Sequence, residues 1–307
     1  VGTVLGNLAG LYREKRLFSD AEPLAKRSLT IREKAHGPNH PLVAIALNEL
    51  GMIYYFQGRY EEAEFSYKRS LIIKENSFGL DHEDISNVVN NLAVLYETQG
   101  LYSEAEPLYK RSIVIDEKAL GLEHPSVATN LHNLALLYKN QGRYSDAEPL
   151  YKRALTIREK ALGPNHPLVA ISLNNLALLY LETERVSDVE PLLLRSLAIK
   201  EKALNANHPS IATSLNSLAF LYYDQDKYAD AELLFKRSLA IQEKALGPEH
   251  PDVSKALNNL AFIYSEQGRY SEAEPLYKRS IAIVDKPANP NTITGLYNLA
   301  LMYSKLD

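Results

Sequence analysis

The chain has 307 residues, with 34 Lys and Arg against 38 Asp and Glu, a formal net charge of −4 and no cysteine or tryptophan. So near-neutral a balance lacks the basic footprint of a nucleic-acid binder, and without cysteine there can be no disulfide, thiolate metal site or cysteine nucleophile. No apolar run approaches the roughly 18 residues that a membrane span needs, so neither nucleic acid nor membrane is expected as a partner, and a cytoplasmic location is expected.

Tyr12, Tyr54, Tyr96, Tyr138, Tyr180, Tyr222 and Tyr264 recur every 42 residues, and Tyr303 follows after 39. A fixed period of this size marks a stacked array, in which each unit touches only its neighbours. The spacing predicts one array over residues 1–307, with units of about 2–43, 44–85, 86–127, 128–169, 170–211, 212–253 and 254–291 and a final helix over 292–307. Val1 opens inside the pattern, so the sequence reads as a piece of something longer.

The first unit has Lys15-Arg16-Leu17-Phe18 where later units turn on glycine, and Asp81-His82-Glu83 in the second lacks the connector proline. The fourth unit states the grammar. Leu131, Leu134, Ala135 and Tyr138 fall at i, i+3, i+4 and i+7, one face of a helix, here helix A. Gly142 ends it. Ser145-Asp146-Ala147-Glu148 reads as a capping box opening helix B, with Pro149 in or next to the first turn. Ala147, Leu150, Tyr151, Ala154, Leu155 and Ile157 then share a face, and Gly163-Pro164 stops the helix.

Ala147 belongs to a column with Ala21, Ala63, Ala105, Val189, Ala231 and Ala273, suited to close helix contact. Tyr151 belongs to a column of rings with Tyr67, Tyr109, Phe235 and Tyr277. The fifth unit departs most, with Glu184 in place of the turn glycine, Val186 in place of tyrosine, and Leu193 in the ring column. Asn205 replaces the glycine that ends helix B and is expected to take the same left-handed cap. Asp226 stands in the sixth turn. The seventh unit runs into Val284-Asp285-Lys286-Pro287, three residues short, and in the last helix Leu299 and Leu306 need covering.

Leu-x-x-Leu-Ala-x-x-Tyr followed by Ala-x-x-x-Tyr resembles the tetratricopeptide repeat, whose usual unit is about 34 residues. The longer unit here carries Gln-Gly-Arg-Tyr-x-Glu-Ala-Glu-Pro-Leu-Tyr-Lys-Arg-Ser-Leu and is similar to the cargo-binding domain of kinesin light chains and their bacterial relatives. The resemblance covers nearly the whole chain. It implies an all-α, right-handed α-solenoid superhelix of tandem helix-turn-helix repeats, and an inner groove in which helix A residues, asparagines among them, hold extended peptides.

The residues offer the same groove independently. Opposite the core stripe of helix A, where a surface helix is normally polar, runs an apolar column: Met52, Val94, Leu136, Leu178, Phe220, Phe262 and Leu301. Beside it lie Asn91, Asn133, Asn175 and Asn259, interrupted by Glu49 and Ser217, and a second column of Asn48, Asn90, Asn174, Asn216 and Asn258. An asparagine amide offers two donors and an acceptor, which suits a peptide backbone, and solenoids bind along their concave faces. Packing between adjacent A helices would use the same residues. Specificity is expected at the varying positions, notably Tyr55, Glu97, Lys139 and Tyr223. Few of these are basic, so a mixed apolar and polar peptide fits better than the acidic, tryptophan-bearing peptides that kinesin light chains grip.

Three repeated signals point away from chemistry. His40, His82, His124, His166, His208 and His250 recur once per unit, too far apart to share a metal ion, whose ligands each lie within about 2.1 Å; bracing the connector is the better reading. The Lys-Arg doublets such as Lys152-Arg153 follow a glutamate by four residues, a favourable helical pair. No nucleotide-binding or hydrolase motif occurs, so no enzyme activity and no cofactor or metal are expected. The expected function is a non-catalytic scaffold for a protein or peptide ligand. The alternatives are a sensor module of a larger signalling protein, or self-association through the terminal helices.

Overall fold

A computed structural model describes residues 1–284 and 290–304. Among these are fifteen α-helices and no strand. The A helices are α1 (Gly2–Glu14), α3 (Pro41–Phe56), α5 (Glu83–Thr98), α7 (Pro125–Asn140), α9 (Pro167–Glu182), α11 (Pro209–Asp224), α13 (Pro251–Glu266) and α15 (Pro290–Ser304). The B helices are α2 (Phe18–His36), α4 (Tyr60–Phe78), α6 (Tyr102–Leu120), α8 (Tyr144–Leu162), α10 (Val186–Ala203), α12 (Tyr228–Leu246) and α14 (Tyr270–Ile283). The architecture is an all-α solenoid of tandem repeats. The expectations for Asp285–Pro287 and Leu306 fall outside the described residues.

The connector histidines cap the A helices. Nδ1 of His40, His82, His124, His166, His208 and His250 accepts the backbone N–H two residues on at 3.1–3.2 Å. A capping side chain satisfies one of the donors that a helix N-terminus leaves open.

The A-to-B turn is a two-bond closure. In the fourth repeat the N–H of Gly142 bonds the carbonyl of Lys139 at 2.9 Å, and that of Arg143 bonds Tyr138 at 2.8 Å. This is the pairing that closes a helix on a left-handed residue. Because Arg143 completes one helix it also becomes the residue before the next, and α8 starts at Tyr144. Ser145 therefore lies inside the helix, and the expected capping box is not formed. In α4, α6, α10, α12 and α14 the cap position is Arg59, Leu101, Arg185, Lys227 and Arg269, none with a side-chain cap bond. Pro149 likewise sits beyond the first turn, inside α8.

Helix B ends as expected at Gly37, Gly79, Gly121, Gly163 and Gly247, with φ between 85° and 91°. The fifth repeat differs from expectation. There α10 stops at Ala203, Leu204 is extended at φ −117°, and Asn205 uses its side chain instead, accepting the N–H of Asn207 at 3.0 Å. A side-chain turn of this kind replaces the left-handed cap.

The small column of helix B, Ala21, Ala63, Ala105, Ala147, Val189, Ala231 and Ala273, is fully buried, as are Tyr67, Tyr109, Tyr151, Phe235, Tyr277 and the substitute Leu193. The chain divides into two compact units, Val1–Leu162 and Gly163–Asp307. The first has a core around Leu50, Ile53, Tyr67, Leu92 and Leu95. The second has one around Phe235, Leu260, Ile263, Tyr277 and Met302, against which Leu299 packs. Within the first unit successive A helices touch, α1 with α3, α3 with α5 and α5 with α7, while successive B helices do not approach as closely.

A charged clasp joins the repeats. Glu106 on α6 accepts Lys110 of its own helix at 2.6 Å, then Tyr138 Oη at 2.9 Å and Arg143 at 2.8 Å from the next repeat. The Arg143 guanidinium lies over the Tyr138 ring at 3.9 Å. Glu64 with Tyr96, Glu190 with Tyr222 and Glu232 with Arg269 repeat it. The arginines of the Lys-Arg doublets bridge successive B helices: Arg69 to Glu33 and Arg111 to Glu75, both at 2.7 Å.

Turn geometry and packing each give a test. Arg16, Glu184 and Asp226 adopt φ of 59°, 57° and 59° where other repeats have glycine. Left-handed backbone costs a side-chain-bearing residue about 1–2 kcal/mol, and glycine adds about 0.4–1 kcal/mol of freedom to the unfolded chain, so Glu184→Gly should raise stability by about 0.5–1 kcal/mol in denaturant unfolding. Ala147→Leu should instead lower it by about 1–3 kcal/mol, since Ala147 is fully buried and a larger side chain there overpacks the contact.

Candidate functional site

In the first unit the two asparagine columns face each other across neighbouring A helices. Asn91 Nδ2 on α5 donates to Asn48 Oδ1 on α3 at 3.1 Å, and Asn133 Nδ2 on α7 donates to Asn90 Oδ1 on α5 at 2.9 Å. The same spacing joins Tyr55 Oη to Thr98 Oγ1 at 3.0 Å and Asn140 to Glu97 at 3.1 Å. These amides are therefore committed in part to one another. Each bond uses one donor of the second asparagine and one lone pair of the first, which leaves further valences on both. Val94, Leu136 and Lys139 are half-buried beside them.

In the second unit the ladder is open. Ser217 stands where asparagine would reach back to Asn174, and its hydroxyl bonds its own helix, donating to Thr213 O at 3.2 Å. Asn174 Oδ1 is left buried with no partner, and so is Asn216 Oδ1. Helices α11 and α13 approach each other less closely than α3 and α5 or α5 and α7. Between them Asn216, Ser217, Phe220, Lys255 and Asn259 line a cleft of about 470 Å³. Phe220 is exposed and meets Phe235 edge-on at 5.0 Å, while the Tyr223 ring meets Phe262 edge-on at 5.0 Å. Asn175 and Leu178 on α9 are half-buried. Asn258 is not part of any open face: it is only 6% exposed, and its amide lies against Gly295 of α15.

Sequence reasoning missed a buried polar column on helix B, formed by Arg32, Lys74, Asp116, Arg158, Lys200 and Gln242. Arg32 donates to the carbonyl of Leu42 at 2.7 Å, Lys74 to that of Asp84 at 2.5 Å, and Lys200 to Ser214 Oγ at 2.6 Å. Asp116 accepts from Asn130 at 2.8 Å, and burial raises its pKa. The signal was a change of residue type at one position in otherwise near-identical segments, such as Ile157-Arg158-Glu159 against Ile241-Gln242-Glu243. Burial also raises the pKa of Glu97, against the bonds it accepts from Tyr109 and Asn140.

His132 takes the place of asparagine in the second column. Its ring meets Tyr151 edge-on at 5.3 Å. Burial, assisted by the charge of Arg158, pushes its pKa from 6.5 down to about 4. The folded chain thus prefers the neutral ring, so this contribution is complete above pH 6.5 and is lost as pH falls from there toward 4. At about 1.4 kcal/mol per pH unit the loss reaches about 3 kcal/mol at most. His132→Asn should remove that part of the pH dependence, read as a smaller drop in melting temperature between pH 7 and pH 4 than in the parent chain.

The tetratricopeptide repeat profile matches residues 1–76, 45–118, 84–160, 126–202, 188–244 and 210–286, nearly the whole chain. Among solved structures, a Podosopora anserina protein described as a kinesin light chain with nearly identical TPR-like repeats is 31% identical, with a TM-score of 0.59 over 68% of this chain and 99% of that one. BtubC (BKLC) from P. vanneervenii is 23% identical, with a TM-score of 0.65 over 75% of this chain and 94% of that one. PH0952 from Pyrococcus horikoshii, a signal transduction ATPase with a tetratricopeptide repeat sensor, is 17% identical, with a TM-score of 0.74 over the whole of this chain and 45% of that one. No curated protein sequence matches at a significant level. Among the described residues no helix is long and apolar enough to cross a membrane. The chain belongs to the tetratricopeptide repeat family, and its structural neighbours include kinesin-light-chain-like proteins, one of them bacterial.

Proposed function

We propose that this chain is a non-catalytic scaffold whose A-helix faces hold extended peptide segments of protein partners, in the reducing interior that its lack of cysteine permits. Tetratricopeptide repeats generally serve as protein-interaction scaffolds, and the finer reading rests on one observation. The amide columns lie beside side chains that are apolar yet only half-buried, Val94 and Leu136 in the first unit and Leu178 in the second, with Phe220 exposed. A partner side chain buried on such a column gains about 25 cal/mol per Å² of apolar surface removed from water. Its backbone N–H and C=O, which must be satisfied once water leaves, find the valences that the asparagine ladder leaves over. Lys139 and the neutral aromatic Tyr55 and Tyr223 border these faces and favour a partner of mixed apolar and polar character.

A random peptide library displayed on phage and selected against the purified chain tests this. Peptides should be recovered. Leu136→Asp should weaken a class of them by about tenfold or more, since a charge on the column removes an apolar contact and adds a desolvation cost. Lys152→Glu, on helix B, should leave that class unchanged. Selected peptides that all ignore Leu136→Asp, or that depend on Lys152, would contradict the reading for the first unit.

A further inference from the structure

The half-buried carboxylates that recur in the first unit are matched to cations. Glu64 meets Lys68, Glu106 meets Lys110 and, on the A-helix face, Glu49 meets Arg13, at 2.6–2.8 Å. Glu97 on α5 is not matched. It is half-buried, and its two hydrogen bonds come from neutral groups: Tyr109 Oη donates to Oε2 at 2.6 Å, and Asn140 Nδ2 donates to Oε1 at 3.1 Å. Among the described residues no lysine, arginine or histidine nitrogen comes within 4.0 Å of it, not even that of Lys139, which holds the same place in the next repeat.

A bond from a neutral donor orients a carboxylate but leaves its charge in place, and a charge drawn partly out of water without a counter-ion is costly. The cost is visible in the carboxyl itself, which burial pushes up against the opposing pull of Tyr109 and Asn140. Those two bonds occupy one lone pair on each oxygen and leave the other open. Tyr109, fully buried, fixes Oε2 from below, while the Asn140 bond to Oε1 lies at the exposed side, within reach of a guest. Glu97 follows Val94 by one turn and Asn90 by two, so it shares their face of α5. On the neighbouring helix α3, Tyr55 Oη bonds Thr98, the residue after Glu97, at 3.0 Å, which brings a half-buried ring alongside. Ring faces attract cations. A guest carboxylate would be repelled here, and a neutral side chain would leave the charge unanswered. An ammonium or guanidinium group brings both the donors and the opposite charge.

We propose that Glu97 reads a basic side chain, arginine or lysine, of the peptide held along the first unit, with an adjoining apolar residue of the same peptide against Val94. The proposal rests on the peptide-binding reading above and adds a position and a charge preference to it. It also gives this chain a preference opposite in sign to the acidic peptides that kinesin light chains grip.

The test uses the peptides selected from the phage library, remade with a fluorescent label and titrated against the whole chain by anisotropy. Glu97→Gln keeps the shape of the side chain and removes its charge. A class of peptides carrying Arg or Lys should lose about tenfold or more in affinity on this change. Replacing the basic residue of such a peptide by Gln should cost the parent chain as much, and should cost the Glu97→Gln chain little, because both changes remove one interaction. The melting temperature of Glu97→Gln at pH 7 should not fall below that of the parent, since burial disfavours the charge that the change removes. Selected peptides that depend on Leu136 but lack a basic residue, or that keep their affinity on Glu97→Gln, would overturn this site and leave the general scaffold standing. Basic peptides sensitive to Glu97→Gln but never to Leu136→Asp would support the site and contradict the apolar column beside it. Failure to recover any peptide would overturn both.

Discussion

A hydrogen bond between side chains 43 residues apart, Asn91 to Asn48 and Asn133 to Asn90, is possible only because every full repeat has the same length. One residue more or less would rotate the next A helix by about 100° and turn its amide away from its neighbour. Repeat length is thus a geometric constraint with several dependents. The Tyr55–Thr98 and Asn140–Glu97 bonds use the same register, and the clasp around Glu106 uses related ones, through Tyr138 and Arg143. Individually such bonds are worth about 1 kcal/mol. Their repetition aligns successive A helices so that the half-buried apolar side chains fall in a column rather than scatter.

The constraint divides the labour between the two helices. Helix B supplies the small and aromatic core columns and, through its buried polar position, ties itself to the first turn of the next helix A, as Arg32 does at Leu42 and Lys74 at Asp84. Helix A supplies the ladder. Where either element changes, the consequence is local. Ser217 bonds its own helix, and Asn174 Oδ1, two helices away in the pattern, is left without a partner, so a rung stays open in the second unit where the first has closed ones.

Much of this was legible in the sequence because repetition averages out accident. Seven copies of Leu-x-x-Leu-Ala-x-x-Tyr and its close variants leave no doubt about the core face, and the histidine at each connector is rightly read as local support. What the sequence hid was cooperation between elements. Ser145 looks like a cap, but Arg143 already closes the preceding helix through its N–H to Tyr138, which forces α8 to begin at Tyr144. Asn205 looks like a left-handed cap, but its side chain can make the turn by itself. The Glu-Lys pairs look like a solvated face, whereas Glu106 also holds two groups of the next repeat. For the candidate site, the columns were visible but their mutual bonding was not, since pairing of Asn90 with Asn133 depends on helix separation. Asn258 shares its type and position with Asn216, yet α15 covers it.

Repeat register is held by these cross-helix side-chain bonds, which at the same time set out the A-helix face. A double-mutant cycle on Asn90 and Asn133, each changed to Ala singly and together and followed by denaturant unfolding, measures that claim directly. The expected coupling between the two positions is about 0.5–1.5 kcal/mol. Additivity within about 0.3 kcal/mol would contradict it.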